Sequence, residues 1–245
     1  MSLNIGIVIP ARYESSRLPG KPLIDLCGKT MIQRTWERCI QALPASQVYI
    51  ATDSEKIQQH VESFGGQVVM TSPECLTGTD RLAEANEILN LDIVVNVQGD
   101  EPIIDPDEIV KVVEYSLKHP TVVVNAMAKI QAEEEFRSLT IPKVAKTVDN
   151  QLLYMSRAPI PGSKSAVFDF GYKQICIYAF PKDKLKLFAA TKEKTPFELV
   201  EDIEILRFVE KGEPVSLVEV SGQSMAVDVL EDAERVREKI SSMPQ

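Results

Sequence analysis

VYIATDSEKIQQHVESFGGQVVMTS, residues 48–72, reads as one strand, one helix and a second strand. VYIATD is a short apolar, β-branched run of the kind that fills a buried strand. Ser54 offers a capping oxygen where a helix begins, and Gly65 and Gly66 stop that helix. QVVMTS then resumes as a strand. Two strands joined through a helix are parallel neighbours, so this stretch sets the architecture.

The same alternation extends outward. Upstream, IGIVIP (5–10) is a buried strand ended by proline, a loop follows with Pro19, Gly20 and Pro22, and residues 30–43 carry apolar side chains at helical spacing. Downstream come a helix over 79–90, a strand within DIVVNVQGDEP (92–102) that runs into an acidic turn, and a helix over 106–118. Repeated strand and helix predict an α/β fold, a Rossmann-like, mostly parallel sheet flanked by helices. Sites in such sheets lie beyond the carboxyl ends of the strands. Polar clusters fall there at Arg12 to Lys21, at Asp53 and at Gln98-Gly99-Asp100.

The second half is less regular. It reads as a strand at 122–130, a hairpin of KVAKTVDN and QLLYMS with Asp149 and Asn150 at its tip, a strand at 174–180, an acid-rich helix at 198–211, a strand at 216–220 and a last helix at 230–241. No repeat or linker divides the chain. Residues 1–245 are expected to form one domain, with the strand-rich half as a smaller β-rich subdomain.

Of the 245 residues, 44% are hydrophobic and 26% charged, enough apolar material for a sizeable core. The net charge of −9 speaks against nucleic acid as a partner. No apolar run has the length of a membrane helix, and the first residues lack a basic leader, so no membrane partner and a cytoplasmic location are expected. Cys27, Cys39, Cys75 and Cys176 are scattered, which supports neither a disulfide framework nor a zinc site. His60 and His119 fall on helices expected to be solvated.

Within PARYESSRLPGKPL (10–23), Arg12, Arg17 and Lys21 crowd one loop. Between residues 12 and 38 six basic residues face three acidic ones, in a chain that is acidic overall. A basic loop at a strand end suits a small polyanion, and Gly20 lets the backbone approach a phosphate. Neither the P-loop nor the dinucleotide spacing is present, and a solvated loop with three exposed cations is the plainer alternative. Asp100 closes a buried strand, where a carboxylate either holds a cation against phosphates or simply makes a turn. Gln98 shares its strand face. Thr79 is open between an N-cap and a ligand contact, and Asp228 reads as a helix-entry residue.

PARYESSRLPGKPL resembles the signature of the sugar-nucleotide cytidylyltransferases, in particular the 3-deoxy-manno-octulosonate cytidylyltransferase (CMP-Kdo synthetase) family. The likeness continues in order through KTMIQRTWERC, VYIATD, TSPECLTGTDRLAE, VVNVQGDEPIIDP, LLYMSRAPIP, QICIYAF and MAVDVLEDAERVR. The resemblance implies a GT-A-like fold, with a nucleotide-binding half over about 1–120 and a sugar-binding and dimerisation half over about 121–245. It implies CTP and a 2-keto-3-deoxy sugar acid as substrates, a homodimer, and a product used for lipopolysaccharide or capsule. By matched position, Asp100 and Asp228 would bind Mg2+. Arg12 and Lys21 would neutralise the leaving pyrophosphate and, with Asp100, make up the catalytic set. Arg17, Thr79, Arg81 and Gln98 would join Arg12 and Lys21 around the nucleotide. Arg157, Gln174, Tyr178 and Glu204 would face the sugar.

The match is closer in the nucleotide half. Gln174 stands where the family carries His, Ile205 where it carries Gln, and the segment PGSKSAVFDFGY is short. These departures leave two further readings: a transferase for another sugar acid, such as a modified Kdo or a nonulosonic acid, and a catalytically silent binding relative.

Overall fold

The computed structural model describes residues 3–14, 18–165 and 167–242. Strand β1 (Ile5–Ala11) is buried along its whole length and lies inside one nine-stranded sheet. Helix α1 (Met31–Ala42) follows, then β2 (Val48–Thr52), α2 (Glu55–Ser63), β3 (Gln67–Met70), α3 (Gly78–Leu89), β4 (Ile93–Val97) and α4 (Pro106–Lys118). Strands β3, β2, β1 and β4 are parallel neighbours in that spatial order, as the alternation predicts. Ser54 stands at the N-cap of α2, and Gly65 takes φ +83 just past its end, where a side chain would be strained.

The second half does not form a layer of its own. Strand β5 (Val123–Lys129) precedes a short helix α5 (Glu133–Arg137), the hairpin strands β6 (Lys143–Lys146) and β7 (Leu152–Ser156), and the long β8 (Tyr172–Pro181). Helices α6 (Lys182–Ala189), α7 (Pro196–Glu201) and α8 (Leu206–Glu210) come next, then β9 (Val215–Glu219) and α9 (Leu230–Ser242). Strand β8 pairs antiparallel between β4 and β5, and β5 pairs parallel with β9, so these strands extend the central sheet. The expected β-rich part reduces to the hairpin β6–β7, tied to β8 at Lys143 and Lys173. Asn150 takes φ +57 at the hairpin tip, which asparagine tolerates.

Each sheet face has its own apolar layer. One buries Ile32, Trp36 and Cys39 of α1, Ile57 and Val61 of α2, and Ile109 and Val112 of α4. The other buries Leu82 and Ala85 of α3, Leu185 and Phe188 of α6, and Leu206 and Phe208 of α8. A third cluster, Leu26, Met31, Ile103, Val227, Ala233 and Val236, seats α9 beside the ends of β1 and β4. His60 is not solvated as expected; it is half-buried and hydrogen-bonded to Thr30, the N-cap of α1, at 2.7 Å.

The helix expected over 198–211 is two helices. Asp202 takes the left-handed conformation, φ +52, between them and ends the first helix. Just before that break, Glu201 accepts from Tyr154 Oη, Ser156 Oγ and the Arg157 N–H at 3.1, 2.6 and 2.8 Å. Burial opposes ionisation of Glu201, but these donors outweigh it and hold its carboxyl below the ordinary 4.5. A depressed carboxyl stabilises the fold above its unfolded pKa and loses that contribution as pH falls through the folded value. Glu201→Gln is therefore expected to cost about 1 kcal/mol near pH 7. The gap from wild type should close as pH falls below 4.5, read by urea unfolding across the acid range.

Candidate active site

At the carboxyl ends of β1 and β4 a cleft of about 290 Å³ opens between the loop after β1, the N-terminus of α3 and the turn between α7 and α8. Gly20, at φ +69, donates its N–H to the Tyr13 carbonyl at 3.0 Å and turns the chain so that Lys21 enters this cleft. Lys21 Nζ donates to Asp100 Oδ2 at 2.6 Å and to Asp228 Oδ1 at 3.2 Å. Two carboxylates 128 positions apart thus share one cation, and the Val227 N–H donates to the Asp100 carbonyl at 3.0 Å to align the two segments. Burial would lower the Lys21 pKa, but the two carboxylates override it and hold the ammonium above its ordinary value. Arg12 and Gln98 line the same cleft, with Arg12 exposed at the end of β1.

Behind Asp100, Glu101 turns into the protein and accepts from Ser224 Oγ at 2.6 Å. Burial, then the charge of Asp100, push its carboxyl up to about 8. Cys75 sits on the cleft lip and donates to Glu84. Burial and that carboxylate push its thiol up to about 12, so it is protonated and no nucleophile.

The sequence-derived residues separate into three groups. Arg12, Lys21, Arg81, Gln98, Asp100, Glu204 and Asp228 all line the cleft. Two of them carry structural partners. Arg81 is almost fully buried and pairs with Asp53 at 2.7 Å and Thr71 at 2.6 Å, which gives Asp53 a role that its loop position had hidden. Glu204 accepts from the Gly78 and Thr79 N–H groups at 3.2 and 2.8 Å, so its carboxylate occupies the positive end of α3. Thr79 is buried beneath that contact; the N-cap of α3 is Thr77, which settles the alternative for Thr79 against capping. Glu204→Ala is expected to cost about 1 kcal/mol in a urea melt, because two N-terminal donors lose their acceptor.

Three residues expected at the sugar are not brought to the cleft. The Arg157 guanidinium is spent on the carbonyls of Leu139, Thr140, Glu201 and Asp202, which staples the hairpin to α7. Gln174 donates to Asn125 at 3.0 Å, and Asn125 itself donates to the Ile175 and Ile177 carbonyls beside an irregularity in the β5–β8 register. Tyr178 is buried with its ring stacked on Phe180; burial pushes its phenol well up, with Cys176 and Glu204 adding to the shift. Arg17 lies outside the described residues. The cleft also holds Lys194, paired with Asp202 at 2.6 Å, which no pattern in the sequence marks.

Residues 6–218 match the family model described as cytidylyltransferase, which gives the class. The 3-deoxy-manno-octulosonate cytidylyltransferase of Geobacter sulfurreducens is 39% identical over 250 residues, covering 97% of this chain and all of that one. The Escherichia coli protein of the same name is 37% identical over 231 residues, 94% of each chain. A solved CMP:2-keto-3-deoxy-manno-octonic acid synthetase complexed with CTP superposes with a TM-score of 0.90 at 36% identity, covering 97% of this chain and 98% of that one. The chain belongs to the 3-deoxy-manno-octulosonate cytidylyltransferase family.

Proposed function

We propose that this protein transfers the cytidylyl group of CTP to 3-deoxy-manno-octulosonate (Kdo), releasing pyrophosphate. The observation that carries the reading is the Lys21 ammonium held between Asp100 and Asp228 in a cleft that Arg12 and Gln98 also line. The anomeric hydroxyl oxygen bonds to the α-phosphorus, the bond from that phosphorus to the oxygen bridging to the β-phosphate breaks with its electron pair leaving on pyrophosphate, and the hydroxyl proton passes to solvent water as CMP-Kdo forms. Such a transfer needs positioning and charge neutralisation rather than a covalent nucleophile. Arg12 and Lys21 supply the positive charge for the departing pyrophosphate.

Asp100 and Asp228 also fit Mg2+. They already share one cation, and two carboxylates completed by phosphate oxygens and water are a donor set this ion accepts. Among the described residues no three His, Cys, Asp or Glu side chains gather into a cage of their own. Bound there, Mg2+ would neutralise the α-phosphate and lower the pKa of the attacking hydroxyl. In that state Lys21 would turn from the carboxylates toward the β- and γ-phosphates.

The reading sets the enzyme in the cytoplasm, supplying lipopolysaccharide or capsule synthesis, and working as a homodimer. Among the described residues no helix is long and apolar enough to cross a membrane. Phe197, Leu199 and Val200 of α7 are each exposed, with Phe197 against the Tyr154 ring, and such apolar exposure suits contact with a second copy. A second reading, a modified acceptor, draws on Ile205, which lies in the core and offers no hydrogen bond where the family carries Gln. Pyrophosphate release from CTP, with Kdo and a panel of other sugar acids, with Mg2+ or with EDTA, tests all of this. Metal-dependent turnover fastest with Kdo is expected. Preference for another acid moves the specificity, and no turnover with any acid overturns the enzyme reading in favour of a silent relative.

A further inference from the structure

Asp228 is carried by the segment 220–229, which crosses from β9 to α9 and has no regular structure over most of its length. Its second half is fixed by the Val227 N–H on the Asp100 carbonyl at 3.0 Å and the Asp228 N–H on Asp232 Oδ2 at 2.9 Å; its first half is fixed from the acidic turn after β4 and the first turn of α4. Glu108 is 1% exposed, and its Oε1 accepts from the Gly222 N–H at 2.7 Å and from Ser221 Oγ. Its Oε2 is buried with no partner. Glu101 is 4% exposed and accepts from Ser224 Oγ. Two carboxyl groups, seven positions apart on one turn and helix start, therefore grip three residues of a segment more than 110 positions away. Gly222 takes φ +70, and a Cβ there would lie 2.4 Å from that of Ala128, so the segment is pressed close against β5 at the point where Glu108 holds it.

A buried carboxyl with an unpartnered oxygen is costly, and an apolar side chain of the same size serves packing better. Glu108 retains that cost while making both its contacts to the segment that carries Asp228. We propose that Glu108, assisted by Glu101, is a positioning residue for the metal site: it anchors residues 221–224 and thereby holds Asp228 at the distance from Asp100 that lets the two carboxylates share a divalent cation. Groups that orient a ligand from behind typically change metal affinity by about 10- to 100-fold when removed. The inference rests on the reading of Asp100 and Asp228 as metal ligands.

The test uses Mn2+ as the probe, titrated into the whole protein with saturating CTP and followed by the loss of the free-ion electron paramagnetic resonance signal. Glu108→Met fills the same volume without an acceptor. It is expected to stay folded, with a melt lowered by about a few degrees at most, and to bind Mn2+ about tenfold more weakly. Glu108→Gln keeps an acceptor for Ser221 and Gly222 and should restore most of the affinity. Asp228→Asn separates the two levels of the argument. If Asp228→Asn leaves Mn2+ binding unchanged, the metal reading itself is wrong. If Asp228→Asn weakens binding and Glu108→Met does not, the positioning role is overturned. Should Glu108→Met not fold, the Ser221→Ala, Ser224→Ala double variant loosens the same segment and must show the weakened Mn2+ binding for the proposal to stand.

Discussion

Asp100→Asn is expected to leave a folded protein that releases pyrophosphate about 10³-fold more slowly than wild type, ~4 kcal/mol in the barrier. The side chain stands at the end of β4, partly exposed in the cleft, and its described hydrogen bond is to Lys21. The contact that ties Asp100 to the α9 segment is made by its backbone carbonyl, from the Val227 N–H, and an amide side chain leaves that intact. Fold and site are therefore separable at this residue. Asparagine keeps the shape but removes the charge, so the cleft retains Asp228 alone against a cation and loses the bridging geometry. Lys21→Met makes the complementary change. It removes the ammonium that both carboxylates accept from, and with it a cation at the phosphate end, so it should weaken CTP binding without weakening Mn2+ binding. Steady-state kinetics with each variant, beside thermal melts, read both effects. An Asp100→Asn enzyme within tenfold of wild type would remove this carboxylate from the chemistry.

Much of this site was legible because its residues sit where local pattern is strongest. Arg12 follows an apolar strand closed by Pro10, and Gln98 and Asp100 follow another, so strand ends alone assigned them to one rim. Asp228 became a site residue only by resemblance, since a carboxylate before a helix is ordinarily a cap. The residues that escaped do so for a shared reason: their partners are distant in sequence. Arg157 looks like a free cation until the carbonyls of residues 139–140 and 201–202 close around it. Glu108 looks like an ordinary acid in the first turn of a helix, and only the fold buries it against Ser221 and Gly222. The break at Asp202 has no glycine to announce it, and apolar spacing through 198–211 is the same with or without the break. Helix α6 leaves little signal in the sequence, because it follows β8 directly, with Pro181 closing the strand, and its apolar pair Leu185 and Phe188 is brief.

The largest loss of stability is expected from Arg207→Leu, about 3–5 kcal/mol. Arg207 is fully buried and pairs with the equally buried Glu198 through two hydrogen bonds of 2.7 and 2.6 Å. Its remaining nitrogen reaches Asp80 and the Phe188 and Thr191 carbonyls, and the guanidinium lies 3.6 Å from the centre of the Phe188 ring. One side chain of α8 thus joins α3, the end of α6 and α7. Leucine would fill part of the volume but leave Glu198 as a buried carboxylate whose other described contacts, to Thr195, are far weaker compensation. Lysine keeps the charge but cannot reproduce the fork, so Arg207→Lys should recover only part of the loss. Replacing Arg207 and Glu198 together with apolar residues should cost less than Arg207→Leu alone, because no orphaned charge remains. The effect should also reach the cleft. Glu204, three residues before Arg207, holds the Gly78 and Thr79 N–H groups, while Arg207 holds Asp80 in the same first turn of α3. With that anchor gone the N-terminus of α3 can drift from Gln98 across the cleft. Urea unfolding gives the stability, and the KM for CTP in the surviving folded fraction gives the displacement. A variant that unfolds within about 1 kcal/mol of wild type would show that the ion pair is replaceable by packing alone.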